Sequence, residues 1–143
     1  MEQEDSGTIE REIRVNAEPD TVFEFLTDPE KLVQWMGTTA ELEPRPGGKF
    51  RLSYDGEHVA RGEYMEIDRP RRVVLSWGWE GEGAATQPGA SVVTFSLVAD
   101  GNDTIVRMTH SGLVGDEIAS HSAGWDMFLP NLVGAGSGAA PNA

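Results

Sequence analysis

The chain predicts an α+β fold: a curved antiparallel sheet of six to seven strands wrapped around a long C-terminal helix, with two short helices after the first strand. Three observations carry this. Most of the chain between residues 8 and 112 alternates apolar and polar residues, the period of half-buried strands, and Gly, Asp, Asn and Pro clusters punctuate it. The period turns helical twice, once over Ala17–Met36 and again from Gly115 onward. Four Trp and 17 Gly occur together in 143 residues, a pairing of large flat side chains with many turns that suits a sheet curved around a hollow.

Thr8–Val15 opens the sheet, with Ile9, Ile13 and Val15 on one face and Glu10, Glu12 and Arg14 on the other. Arg11 shares the apolar parity and reads as a rim residue. Ala17–Met36 then brackets the sheet. Pro19 fits a first helical turn, Glu18 and Asp20 fit its positive end, and Val22, Phe25 and Leu26 recur at helical spacing. Asp28-Pro29 ends one helix and starts another, with Asp28 as N-cap, and Gly37 closes the second.

Ala40–Pro44 is a short strand, Arg45–Gly48 a turn, and Lys49–Tyr54 a strand with Phe50, Leu52 and Tyr54 on one face. Asp55-Gly56 predicts a two-residue hairpin into a long strand from Glu57 to Ile67, where Gly62 marks a bulge or bend. The stretch Arg61–Trp79 is the organising one: two strands joined at Asp68-Arg69-Pro70-Arg71, the second placing Val73, Leu75, Trp77 and Trp79 on one face. Glu80–Gly89 reads as a mobile loop. Ala90–Ala99 and Asp103–Gly112 flank the turn Asp100-Gly101-Asn102, with Val93, Phe95, Leu97 and Val106, Met108, His110 facing inward.

From Gly115 the residues Ile118, Trp125, Phe128, Leu129, Leu132 and Val133 form an apolar helical stripe. Pro130 lies inside it and should kink or break the helix. A single domain over residues 8–133 is expected, with flexible tails at 1–7 and 134–143.

The bulk numbers exclude several functions. A 143-residue chain buries roughly 70% of its unfolded surface and builds a core without staples. No cysteine is present, which removes disulfides, thiolate zinc sites and cysteine nucleophiles. The start of the chain is acidic, with no apolar run behind basic residues, so neither secretion nor a membrane span is expected and a cytoplasmic location is the default. Twenty-four acidic against 11 basic residues give a formal charge of −13, which disfavours nucleic acid and anionic lipid surfaces. Solubility accounts for that charge; a basic protein partner on the acidic surface is the sharper alternative. A monomer or a homodimer is expected.

A sheet with one strongly apolar face must cover it, and only the late helix is long enough to do so. The aromatic residues that meet there are Trp35, Phe50, Tyr54, Trp77, Trp79, Phe95, Trp125 and Phe128. They either fill a core or line a cavity.

Several pieces of the chain resemble the START / Bet v 1-like (SRPBCC) superfamily, and within it the bacterial branch related to the activator of heat-shock protein 90 ATPase. Ala17-x-Pro19 before Val22-Phe23-x-Phe25-Leu26-Thr27-Asp28-Pro29-Glu30-Lys31-Leu32-x-x-Trp35 is similar to the family's first helices. Pro46-Gly47-Gly48-x-Phe50 is similar to its next hairpin. Gly62-Glu63-Tyr64-x-Glu66-Ile67-Asp68-x-Pro70-x-Arg72-Val73-Val74-x-x-Trp77 is the most specific piece. Thr94-x-x-Leu97, Thr109-His110-x-Gly112-Leu113 and Gly124-Trp125 follow in order. The resemblance implies a helix-grip fold with a hydrophobic tunnel between sheet and C-terminal helix. It does not imply one activity, because the superfamily includes lipid and hormone carriers, polyketide cyclases and co-chaperone domains. Pro130 and the long Glu80–Gly89 loop depart from the family pattern near the expected tunnel mouth.

The expected ligand-binding residues are therefore Trp35, Phe50, Leu52, Tyr54, Leu75, Trp77, Trp79, Phe95, Met108, Trp125, Phe128 and Leu129, joined by the polar candidates Arg61, Glu63 and His110. The expected ligand is a small hydrophobic or aromatic molecule, lipid-like or polyketide-like, with no cofactor and no metal. His110 reads either as a donor or general base in an apolar pocket or, the favoured reading, as a core histidine bonded to backbone. Arg61 and Glu63 share a face with Val59, Met65 and Ile67, where they form an inward ion pair unless a bulge at Gly62 reverses one of them. A cyclase or dehydratase chemistry needs His110 to converge with one of that pair. Glu117 and His121 are one helical turn apart and read as a solvated face rather than a metal site. His58 follows a turn and reads as exposed. Ser111 and Ser122 have no triad partners in the sequence, and Pro46-Gly47-Gly48 lacks the residues of a phosphate loop.

Overall fold

A computed structural model describes residues 8–81, 84 and 86–138. The expected tail at 1–7, the last part (139–143) of the expected tail at 134–143, and part of the expected mobile loop (82, 83 and 85) lie outside the described residues.

The elements follow the sequence pattern. Strand β1 (Ile9–Val15) is followed by helices α1 (Pro19–Thr27) and α2 (Pro29–Leu32). Strands β2 (Thr39–Leu42), β3 (Lys49–Ser53), β4 (Val59–Asp68), β5 (Arg72–Trp79), β6 (Ser91–Asp100) and β7 (Asp103–Ser111) come next, and α3 (Asp116–Gly138) closes the chain. The seven strands form one antiparallel sheet in the order β1-β7-β6-β5-β4-β3-β2. Consecutive hairpins build β2 to β7, and β1 pairs with β7 from Ile9↔His110 to Val15↔Thr104.

The short helices cap one end. The Asp28 side chain accepts the Glu30 N–H (3.1 Å), the N-cap its position predicts, and Pro29 follows in the first turn. Two buried polar tips fasten the end of α1 to the rest of the fold. The Trp35 indole donates to the Phe25 carbonyl (2.9 Å) and the Tyr64 hydroxyl donates to the Leu26 carbonyl (3.0 Å). Each tip occupies a carbonyl at the end of α1 that no later turn of that helix satisfies.

Four local expectations are corrected. The β3–β4 connection is a longer loop, not a two-residue hairpin: β3 ends at Ser53, β4 starts at Val59, and the Asp55 carboxylate accepts the N–H groups of Glu57 and His58 (2.9 and 2.7 Å). An acceptor aimed at backbone two and three residues ahead favours this wider turn. The bulge in β4 sits between Tyr64 and Glu66 rather than at Gly62. Gly62 instead marks a close approach, since a Cβ there would stand 1.9 Å from the Ser76 carbonyl oxygen.

Pro130 does not break α3, which runs through it to Gly138. Pro130 is exposed, and so is Asp126, whose carbonyl loses its intrahelical donor; water is available to that face. Gly134–Gly138, expected as flexible, also belong to α3. Gly136 packs so closely on β1 that an added Cβ would lie 2.5 Å from Val15 Cγ1, and Ser137 Oγ accepts the Asn16 N–H (3.2 Å). Small residues here serve close packing rather than disorder. Arg11, on the rim, reaches across to Asp126 of α3 (2.7 Å).

The core lies between the concave face of the sheet, α1, α2 and α3. It contains Val22, Phe25 and Leu26 from the first helix, Leu75 and Val93 from the sheet, and Leu129 and Leu132 from α3. No helix among the described residues is long and apolar enough to cross a membrane.

Candidate functional site

The inner face of the sheet and the first half of α3 are not in full contact. Between them lies a cavity of about 480 Å³. Its sheet side is Tyr54, Trp77 and Trp79, its helix side Trp125 and Phe128, and Met36 reaches it from the segment after α2. The rings touch in sequence: Tyr54 to Trp79 (5.4 Å between centroids), Tyr54 to Phe128 (5.5 Å), Trp77 to Trp79 (5.9 Å, perpendicular) and Trp77 to Trp125 (5.8 Å). None of these pairs is stacked face to face; the rings meet tilted or edge-on.

The helix contributes a gap as well as a wall. Gly124 lines the cavity, and an added Cβ would meet nothing within 4 Å. A glycine inside a helix costs roughly 1 kcal/mol relative to alanine. No neighbour demands one at this position, so the residue keeps space open.

The polar lining is sparse and arranged in two groups. Asp55 and His58 stand at the rim on the β3–β4 loop, joined by an ion pair (2.8 Å). The two loop N–H groups and the His58 ring hold the Asp55 carboxyl down at about 2. Glu117, Ser120 and His121 lie on α3. Glu117 Oε1 accepts the Thr86 hydroxyl (2.9 Å), which ties the β5–β6 loop to the start of the helix.

Two histidines, His121 in the wall and His110 behind it, hold fixed tautomers. The Trp79 indole donates to His121 Nε2 (2.9 Å), so the His121 proton is on Nδ1, which faces the Glu117 carbonyl oxygen (2.8 Å). The Trp125 indole donates to His110 Nδ1 (3.0 Å), leaving the His110 proton on Nε2 toward Ser91 Oγ (2.8 Å). Ser91 in turn donates to the Trp77 carbonyl (2.8 Å). The chain Trp125–His110–Ser91–Trp77 is thus complete, and His110 is buried and neutral. Burial, with His121 beside it, lowers its pKa to about 3. The rings of His110 and His121 meet edge to face at 5.1 Å. One donor in this region is unsatisfied among the described residues: the buried Trp77 indole N–H.

The expected site residues divide three ways. Tyr54, Trp77, Trp79, Trp125 and Phe128 line the cavity. Trp35, Phe50, Leu52, Leu75, Phe95, Met108, His110 and Leu129 lie in the packed core outside it. There Trp35 meets Phe95 edge-on (6.4 Å), Phe95 meets Trp125 (6.0 Å) and Phe50 packs on Trp77 (5.6 Å). The hollow is accordingly a pocket under the first half of α3, because these side chains fill the rest of the sheet–helix space.

Arg61 and Glu63 are on the opposite face of the sheet. Ala60, Gly62 and Tyr64 point inward, paired with Leu52 and Phe50 across β3, and the bulge after Tyr64 restores Ile67 to the inner side. Arg61 approaches Glu80 (3.6 Å) and, with Glu63 and Lys49, borders a separate outer hollow of about 540 Å³. His110 therefore does not converge with Arg61 or Glu63, and its partners are Ser91 and Trp125 rather than backbone. His121, expected on a solvated face, is nearly buried against Trp79. Glu117 and His121 gather no third metal-binding side chain among the described residues.

Met36, Asp55, His58, Ala84, Ser120 and Gly124 were not expected to face the cavity, nor were Glu117 and His121. The one available signal was the i, i+4, i+8 spacing of Glu117, His121 and Trp125, which puts a carboxylate, an imidazole and an indole on one stripe.

An antiparallel sheet gripping a terminal helix over an aromatic pocket defines the protein as a helix-grip protein. Residues 16–135 match the family model described as Activator of Hsp90 ATPase homolog 1-like protein, and the chain belongs to that family. Among solved structures, an AHSA1-like protein from Rhizobium etli is 40% identical, with a TM-score of 0.72 over 92% of this chain and 82% of that one. An Hsp90 activator from Plasmodium falciparum is 25% identical, with a TM-score of 0.74 over 89% and 94%. DynU16, from the dynemicin biosynthetic locus, shares the fold at 24% identity and a TM-score of 0.77, over 90% of this chain and 46% of its own. A comparison with curated proteins finds no match.

Proposed function

We propose that the protein is a binding protein that holds one small apolar or aromatic molecule in the pocket between the sheet and α3. The observation that carries this reading is the pocket's construction: aromatic walls from Tyr54, Trp77, Trp79, Trp125 and Phe128, with Gly124 leaving the helix side open. A volume of about 480 Å³ suits a molecule of two to four fused rings or a comparable chain. Apolar area removed from water contributes roughly 25 cal/mol per Å², and stacking on ring faces adds orientation. Few polar groups line the walls, so shape and apolar contact dominate affinity.

Three indoles in the wall make the test direct. Titration of the protein with a panel of polycyclic aromatics and fatty acids, followed by tryptophan emission and native mass spectrometry, should give saturable quenching and a 1:1 complex at micromolar concentration for at least one class. Flat emission and no complex up to high micromolar concentration for every member contradicts the reading.

A further inference from the structure

The charge of the ligand can be read from what lines the pocket. We infer that the occupant is a cation: a protonated or quaternary amine carried on an apolar, preferably aromatic, body. This deepens the binding reading above and rests on it.

Among the described residues, the formally charged side chains in the lining are Asp55, Glu117 and His58, with no lysine or arginine. The arginines near this end of the sheet are engaged elsewhere, Arg51 and Arg61 with Glu80 and Arg11 with Asp126. His121 supplies no positive charge in the observed bonding, because its Nε2 accepts from Trp79. Glu117 is three-quarters buried. Its Oε1 holds the Thr86 hydroxyl, while Oε2 has no hydrogen-bond partner among the described residues. A carboxylate with one free oxygen in a pocket wall is an acceptor awaiting a donor, and a charged donor gains most from it.

The aromatic walls agree in sign. Ring faces carry negative potential, and a cation within about 6 Å of a Trp or Tyr face is attracted by it. Tyr54, Trp77, Trp79 and Trp125 offer four such rings around one hollow. An anionic ligand meets the reverse situation. Its carboxylate loses hydration beside Glu117 and Asp55, and the one cationic group of the described lining, His58, is already paired with Asp55 (2.8 Å), which makes the burial of that charge costly. The chain's formal charge of −13 further concentrates cations near its surface.

The test uses three probes with one body: 2-(aminomethyl)naphthalene, 2-naphthalenemethanol and 2-naphthoate, titrated calorimetrically into the full chain at pH 7.5. The expected order is amine, then alcohol, then carboxylate, with at least tenfold between first and last. Glu117→Gln keeps an acceptor for Thr86 and removes the charge; it should weaken the amine about tenfold and leave the alcohol within twofold. If that variant fails to fold, Asp55→Asn, which retains the loop acceptor, should weaken the amine selectively. A carboxylate that binds as tightly as the amine, or variants that weaken all three probes equally, overturns the cation assignment alone. Absence of binding by all three counts against the pocket-binding reading itself.

Discussion

Replacing Gly78 by alanine is expected to destabilise the fold by about 3 kcal/mol or more and to open the pocket. A Cβ at this position would stand 1.9 Å from the Gln87 carbonyl oxygen, 2.1 Å from its carbon and 2.3 Å from Pro88 N. All three are backbone atoms, so no rotamer change relieves the clash, and overpacking against fixed backbone lies at the upper end of its usual cost. Relief requires the β5–β6 loop to lift. That breaks the bond from Trp79 N–H to the Thr86 carbonyl (2.8 Å) and draws Thr86 from Glu117. Trp79 and Glu117 both line the pocket, so stability and ligand affinity should fall together. Urea unfolding and naphthyl-probe titration on the same variant check this; an unchanged midpoint would mean that the loop does not rest on Gly78.

Acid should destabilise the protein well before its carboxylates titrate. His110 has a pKa of about 3 in the folded state, below the ordinary histidine value near 6.5 of the unfolded chain. Below pH 6.5 the unfolded state therefore binds a proton that the folded state refuses. Stability is full above pH 6.5 and declines as pH falls toward 3, by up to about 1.4 kcal/mol per unit. Between pH 6.5 and 4.5 the loss is about 2–3 kcal/mol. Asp55, Glu24, Glu80, Asp103 and Asp126 are held below their ordinary values, and their contributions disappear only at lower pH. The exposed His58 is raised by Asp55 and acts in the opposite sense. In His110→Gln the amide can accept from Trp125 and donate to Ser91 without titrating. Urea unfolding at pH 7.0, 5.5 and 4.5 should show a falling midpoint in the native chain and a much flatter one in the variant. Parallel declines would place the acid sensitivity elsewhere than His110.

The sheet was legible because alternation and turn chemistry are local signals. Val73, Leu75, Trp77 and Trp79 face inward as their parity requires, and β5 runs over Arg72–Trp79 as expected. Strand β4 was not, because its two faces compete. Val59, Met65 and Ile67 look like a buried set, but the inner face before the bulge is Ala60, Gly62 and Tyr64, two of them small. A bulge at Met65 leaves no trace in a pattern that already contains a glycine three residues earlier. Arg61 and Glu63 followed the wrong face for that reason.

The pocket was half legible for a related reason. Inward aromatics can be named from parity, but which of them pack and which leave space depends on how α3 crosses the sheet. Trp35 packs on Phe95 and Phe50 on Trp77, whereas Trp79 and Phe128 each meet Tyr54 from a different side of the pocket. The length of the β3–β4 loop brings Asp55 and His58 to the rim, and the Asp55 carboxylate sets that length through two tertiary-independent bonds. His121 looked solvated because its neighbours in sequence are polar; its indole partner comes from a strand 42 residues away.

The central claim is that the space beside Gly124 exists to receive a ligand. Gly124→Leu tests it most directly, since the side chain enters an empty region of the pocket from a rigid helix and replaces a poor helix former with a good one. The variant, followed by calorimetric titration with the naphthyl probes and by thermal unfolding, should keep or raise its melting temperature and lose binding by at least tenfold. Undiminished binding in a folded Gly124→Leu variant would contradict the claim.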